Sequence, residues 1–66
     1  MTDYADMFTK VQELDFGAVY HWRGWEIYWD YTSDTGQLYN ADDYCIGTAD
    51  EFEMLVQEAV ARESSR

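Results

Sequence analysis

Proline is missing from this chain of 66 residues, and cysteine and histidine occur once each. A lone Cys45 excludes a disulfide within the chain and a zinc site built from several cysteines, and it suits a reducing compartment. A lone His21 leaves little for acid–base chemistry, and no Ser-His-Asp or Cys-His arrangement is visible in the spacing. Cations are scarce as well: four Lys and Arg face fourteen Asp and Glu, a formal charge of −10. Such a chain repels nucleic-acid phosphates, which excludes direct nucleic-acid binding. No segment approaches the ~20 apolar residues of a membrane-spanning helix, so no membrane partner is expected. Met1 to Asp6 is acidic and lacks the apolar run of a signal peptide. These absences describe a soluble, cytoplasmic protein.

What the chain has in quantity is aromatic residues: twelve, including three Trp and six Tyr. A single small domain, residues 1–66, buries only about 60% of the surface its unfolded chain exposes. Large rings at roughly 150–250 Å² each are one remedy. The 47% hydrophobic share and the clean periodicities argue against disorder. All three Trp and five of the Tyr fall between Tyr20 and Tyr44, which reads as the sheet.

The clearest pattern is Trp25-Glu26-Ile27-Tyr28-Trp29-Asp30-Tyr31. Rings and Ile occupy the odd positions and carboxylates occupy 26 and 30, the signature of a strand with one buried face, which only Tyr28 on the wet face breaks. Thr32 to Gly36 reads as a hairpin loop, with Gly36 accepting a positive φ, and Gln37 to Ala41 as the returning strand. Upstream, Tyr20 and Trp22 are even-numbered, so a disruption must separate them from Trp25. Gly24 as a bulge in one long strand from Val19 to Tyr31 is favoured over an Arg23-Gly24 hairpin loop, because the loop would force Arg23 into the left-handed region. Asn40 to Tyr44 is a polar turn, and Cys45-Ile46 adds a short last strand.

Helical spacing appears at both ends. Tyr4, Met7, Phe8, Val11 and Leu14 form one apolar stripe, with Thr2 or Asp3 as cap, Phe16 folding back and Gly17 near a C-cap. Phe52, Leu55, Val56, Ala59 and Val60 form another, starting at Thr48 or Asp50, where Thr48 and Glu51 fit a capping box. The tail from Arg62 is expected to fray. The expected fold is therefore α+β, a two-layer domain of order α-β-β-(β)-α, with two helices on one face of a two- or three-stranded antiparallel sheet.

Short motifs offer no chemistry. Asp34-Thr35-Gly36 spells the aspartic-protease triplet, but one copy in a polar turn lacks the second carboxylate that chemistry needs. Asp42-Asp43 lacks the alternating ligands and central Gly of a calcium loop. Cys45 reads as a small buried hydrophobe and His21 as a residue at a sheet edge. No cofactor and no metal is expected, and the chain reads as a binding protein rather than an enzyme.

The carboxylates are then the informative feature. Solubility alone explains many acidic surfaces. The sharper reading sets them against a basic surface on another protein. The residues assigned to that partner are Glu26, Asp30, Asp34, Asp42, Asp43, Glu51 and Glu53, with Tyr28 as an aromatic anchor and Tyr31 or Tyr39 beside it. In size, charge and aromatic content the chain resembles the small acidic inhibitors that bacteriophages encode, such as anti-CRISPR proteins and other DNA mimics. That resemblance implies a non-enzymatic inhibitor occupying the basic groove of a host nucleic-acid-binding defence effector. The alternative is an acidic adaptor or antitoxin-like protein that neutralises another basic protein.

Overall fold

The computed structural model describes residues 6–65; Thr2, Asp3 and Tyr4 of the expected first helix lie outside them. Five strands follow in chain order: β1 (Thr9–Glu13), β2 (Gly17–Trp22), β3 (Trp25–Asp30), β4 (Thr35–Tyr39) and β5 (Cys45–Ala49). One helix, α1 (Phe52–Ser64), closes the described chain. Each strand pairs antiparallel with the next, in the order β1-β2-β3-β4-β5. This corrects the expected two- or three-stranded sheet under two helices.

The first helix is where the sequence misleads. Lys10 faces Tyr20 and Gln12 faces Val19 across the β1–β2 ladder, so Val11 is an extra, bulged residue. A bulge breaks the two-residue alternation of a strand, and here it leaves apolar residues at spacings that imitate a helix. Phe8 is 5% exposed in the core, whereas Val11 is 53% exposed. Leu14 N–H donates to the Gly17 carbonyl at 2.7 Å, which turns the chain into β2 and makes Gly17 a strand residue rather than a helix cap. Phe16, expected to fold back, is 70% exposed.

The long bulged strand is also corrected. Trp22 pairs directly with Trp25, and Arg23 and Gly24 form a two-residue loop with φ of 49° and 86°. Two positive φ values define the type I′ turn, whose twist matches that of a hairpin. The left-handed conformation is unfavourable for Arg by roughly 1–2 kcal/mol. The Arg23 guanidinium sits 5.5 Å from the Trp22 ring centre, a cation–π contact that offsets part of this. The loop places Tyr20 opposite Ile27 and Trp22 opposite Trp25, so the parity switch in the sequence is resolved with all of them on one face.

The β3–β4 hairpin forms where the alternation placed it, with altered limits. Its loop is residues 31–34, and β4 begins at Thr35 and ends at Tyr39, short of Ala41. Asp34, not Gly36, takes the positive φ, at 57°. Glycine is needed at 36 for another reason: a Cβ there would lie 2.5 Å from the Trp29 ring and 2.8 Å from Leu55 Cδ1. In the next turn the Asn40 side-chain oxygen accepts the N–H groups of Asp42 and Tyr44, both at 3.0 Å. β5 continues to Ala49, so Thr48 pairs with Gln37 and cannot cap a helix. Glu51 is the N-cap of α1 and makes no side-chain capping bond. The helix runs through Ser64, beyond Arg62, where fraying was expected.

Two full rows of cross-strand neighbours, together with the Trp22–Trp25 pair, make the core face. One is Lys10-Tyr20-Ile27-Leu38-Gly47 and the other Glu13-Ala18-Trp29-Gly36-Ala49. The small residues on either side of Trp29 leave room for its indole. As the periodicity predicted, α1 lays Leu55, Val56 and Ala59 against Ile27 and Leu38, all buried. Each large side chain so buried contributes ~1.5–3 kcal/mol. Phe52 meets Tyr20 and Trp29 edge-on, with ring centres 4.7 and 6.0 Å apart. Trp25 Nε1–H donates to Glu63 at 2.7 Å, tying the end of α1 to β3. Among the described residues the expected first helix is absent, so α1 alone forms the layer on the core face, and no helix lies on the opposite face of the sheet.

Candidate protein-docking surface

Alternation along each strand sends every second side chain to the uncovered face. Register sorts these into rows: His21-Glu26-Tyr39-Cys45, Gln12-Val19-Tyr28-Gln37-Thr48, and Gly17-Asp30-Thr35. His21 is therefore an open-face residue of the second strand, not an edge residue. Its Nε2 lies 2.7 Å from Glu26 Oε1 across the β2–β3 pair. Tyr39 donates its hydroxyl to Gln37 at 2.7 Å, and partial burial, followed by the nearby Cys45, Asp43 and Glu26, raises its pKa. Tyr28 lies across β2, its hydroxyl so close to Gly17 that a Cβ there would approach it to 3.0 Å. Cys45, expected as a small buried hydrophobe, is exposed.

The carboxylates of the turns, with Asp30 at the end of β3, divide between the two ends of the sheet. Gly36 pairs with Ala49, so the β3–β4 turn and the β5–α1 link lie at one end, where Asp30, Asp34, Asp50 and Glu51 gather. The β1–β2 turn brings Asp15 to the same end. Asp42 and Asp43 occupy the other end, at the turn that lies beside Gly24: a Cβ on that glycine would meet Ala41 at 3.3 Å. Strands of five or six residues at ~3.3 Å each separate the ends by roughly 17–20 Å. Glu53 belongs to the helix layer, exposed on α1 and hydrogen-bonded to Gln57 at 3.2 Å.

Of the eight residues assigned to a partner, Glu26, Tyr28 and Asp30 thus share the open face, with Asp34 and Glu51 at one end. Asp42 and Asp43 lie at the other end, and Glu53 stands apart on the helix. The sequence reading left Asp15 and Asp50 out of this set, since only register shows that they lie at the same end of the sheet as Asp34. Tyr31 leaves the set for a different reason. Its hydroxyl donates to Glu13 at 2.6 Å, and Lys10 Nζ donates to the same carboxylate at 2.8 Å. Those bonds, Lys10 first and Tyr31 second, hold the Glu13 pKa below its ordinary value and raise those of both donors.

The described cations are engaged locally. Lys10 pairs with Glu13, Arg62 Nε lies 3.1 Å from Glu58, and Arg23 rests on Trp22. The acid groups at both ends of the sheet therefore have no described ion pair, and all but the half-buried Asp30, which accepts the Thr32 N–H at 2.8 Å, are exposed. Among the described residues there is no cavity and no cluster of three or more metal-ligating side chains. No described helix is long and apolar enough to cross a membrane. No protein-family model, curated protein or solved structure matches the chain.

Proposed function

We propose that this chain is a non-enzymatic binding protein that imitates the charge of a nucleic acid and occupies the basic groove of a host nucleic-acid-binding effector in the cytoplasm. The observation that carries this reading is the pair of acidic ends, Asp30-Asp34-Asp50-Glu51 and Asp42-Asp43, held apart by a stiff sheet. A field of carboxylates with no described ion pair attracts Lys- and Arg-rich clefts and speeds encounter with them. The open face between the ends supplies Tyr28 and Tyr39, a residue type enriched at binding hot spots. The resemblance to phage-encoded inhibitors in size and charge supports the choice of a defence effector.

Capture of a basic host protein by the immobilised chain, at low and at high salt, tests the reading. Binding is expected to weaken steeply with salt, because exposed charge pairs are screened beyond ~10 Å at 0.1 M. Changing Asp30, Asp34, Asp42 and Asp43 together to Asn and Lys should abolish capture while the variant stays folded. Normal capture by that variant would refute the charge-based account. Capture of a basic protein that binds no nucleic acid would support the adaptor function instead.

A further inference from the structure

A partner also needs a place to dock, and β5 offers one. It forms an edge of the sheet: β4 pairs with one side, and no described strand pairs with the other. Edge strands normally carry protection in the form of charges, bulges or Pro. β1, the opposite edge, has Lys10, Glu13 and its bulge at Val11. β5 also has a bulge, at Ile46, but the sequence Cys45-Ile46-Gly47-Thr48-Ala49 carries no charge at all, so this edge lacks the charged residues that guard β1.

Gly47 adds a second, separate observation. Packing forbids a side chain at Gly17 and Gly36, where a Cβ would lie 2.5 Å from other atoms, and Gly24 has a positive φ. Gly47 has neither reason: its φ lies outside the positive range, and a Cβ there would meet nothing within 4 Å. A glycine weakens a strand interior, and an edge glycine that its own fold does not require leaves a notch that a large side chain on a neighbouring strand can fill. This notch lies beside buried Leu38, its register partner.

Charge selects the occupant. Asp42 and Asp43 precede β5, and Asp50 and Glu51 follow it. A second copy of this chain is disfavoured, because antiparallel pairing sets Asp42-Asp43 against Asp50-Glu51 and parallel pairing sets each pair against itself. We propose that the outer edge of β5 accepts an extended strand of a protein partner, with a large apolar or aromatic residue over Gly47 and Lys or Arg at both ends. Strand addition of this kind draws affinity from main-chain hydrogen bonds and specificity from side chains at fixed register. The inference rests on the basic partner proposed above and names the part of that partner that docks.

The probe is a synthetic peptide, Lys-Arg-Thr-Val-Phe-Val-Thr-Arg-Lys, titrated into the isotope-labelled protein and followed by NMR. The expected result is chemical-shift change and slowed amide exchange confined to residues 43–51. N-methylation of alternate peptide amides along the pairing edge, or Phe→Ala, should weaken binding by about tenfold or more. Gly47→Val should keep the parent's melting temperature or raise it, yet bind the peptide by about tenfold less, since its side chain fills the notch. Equal binding by the N-methylated peptide, equal binding by Gly47→Val, shifts centred on Tyr28, or no binding would each overturn strand addition. None of these would touch the charge reading, which stands or falls with the four-carboxylate variant. Equal binding by a peptide with Glu flanks would overturn the basic occupant, and with it the complementarity both readings use.

Discussion

Gly36 and Gly47 are two glycines in neighbouring strands with opposite surroundings, and they make the sharpest test of packing at single residues. The first lies under the Trp29 indole, where an added methyl has no room. Gly36→Ala is expected to destabilise the fold by ~1–3 kcal/mol, the range for overpacked sites. Gly47→Ala meets open space, and it should be neutral or gain up to about 1 kcal/mol from the lost flexibility of the unfolded chain. Urea unfolding midpoints read both; similar values for the two would mean that Trp29 does not rest on Gly36. Glu63 is the other telling residue. Trp25 is only 7% exposed, and its indole N–H depends on the Glu63 carboxylate. Glu63→Ala should cost ~1–3 kcal/mol, the penalty for a buried donor left without its acceptor. Denaturation of that variant at the parent's midpoint would show that water replaces the carboxylate.

At the scale of elements, β1 is the strand most dependent on polar contacts, since all five of its residues are exposed. The bonds from Lys10 and Tyr31 to Glu13 tie it to the loop after β3. Glu13 has a lowered pKa, so its contribution is present above its ordinary 4.5 and is lost as pH falls through the folded value. Tyr31 and Lys10 have raised values, so theirs are present below 10.0 and 10.5 and are lost as pH rises through the folded values. Hydrogen-exchange protection of the β1 amides should therefore be highest between about pH 5 and 10 and decline on either side. Tyr31→Phe should move the acid limb toward higher pH; an unchanged profile would show that the pairing with β2 alone holds the strand. Among the elements, β3 and α1 were legible in the sequence because their apolar residues keep a strict period, of two for Trp25 to Trp29 and near 3.6 for Phe52 to Val60, and β4 was legible only as the strand returning from the turn after β3. β1 was not legible, because its bulge displaces Val11 from that period. The β2–β3 turn was nearly so, but preference against a left-handed Arg pointed away from the loop that forms. β5 hid its length behind Thr48, whose capping pattern with Glu51 is real in sequence and unused in the fold.

For the whole molecule, the acidity was visible in composition, whereas the distribution of the carboxylates was not. Nothing in the linear sequence brings Asp34 beside Asp50, or separates both from Asp42 and Asp43 by the length of the sheet; the antiparallel register does so. Concentrating like charges at two ends also strains the folded state. Stability should rise with added salt over the range in which binding falls, and a melting temperature that drops with salt would show that ion pairs, not repulsion, govern these ends. The most direct measurement is competition. With the captured basic partner in hand, its nucleic-acid complex is titrated with this protein, and the bound fractions of both ligands are followed together. Mutual exclusion is expected: one nucleic acid released for each chain bound, and no complex containing all three. A stable ternary complex, with nucleic acid and chain held at once, would contradict it.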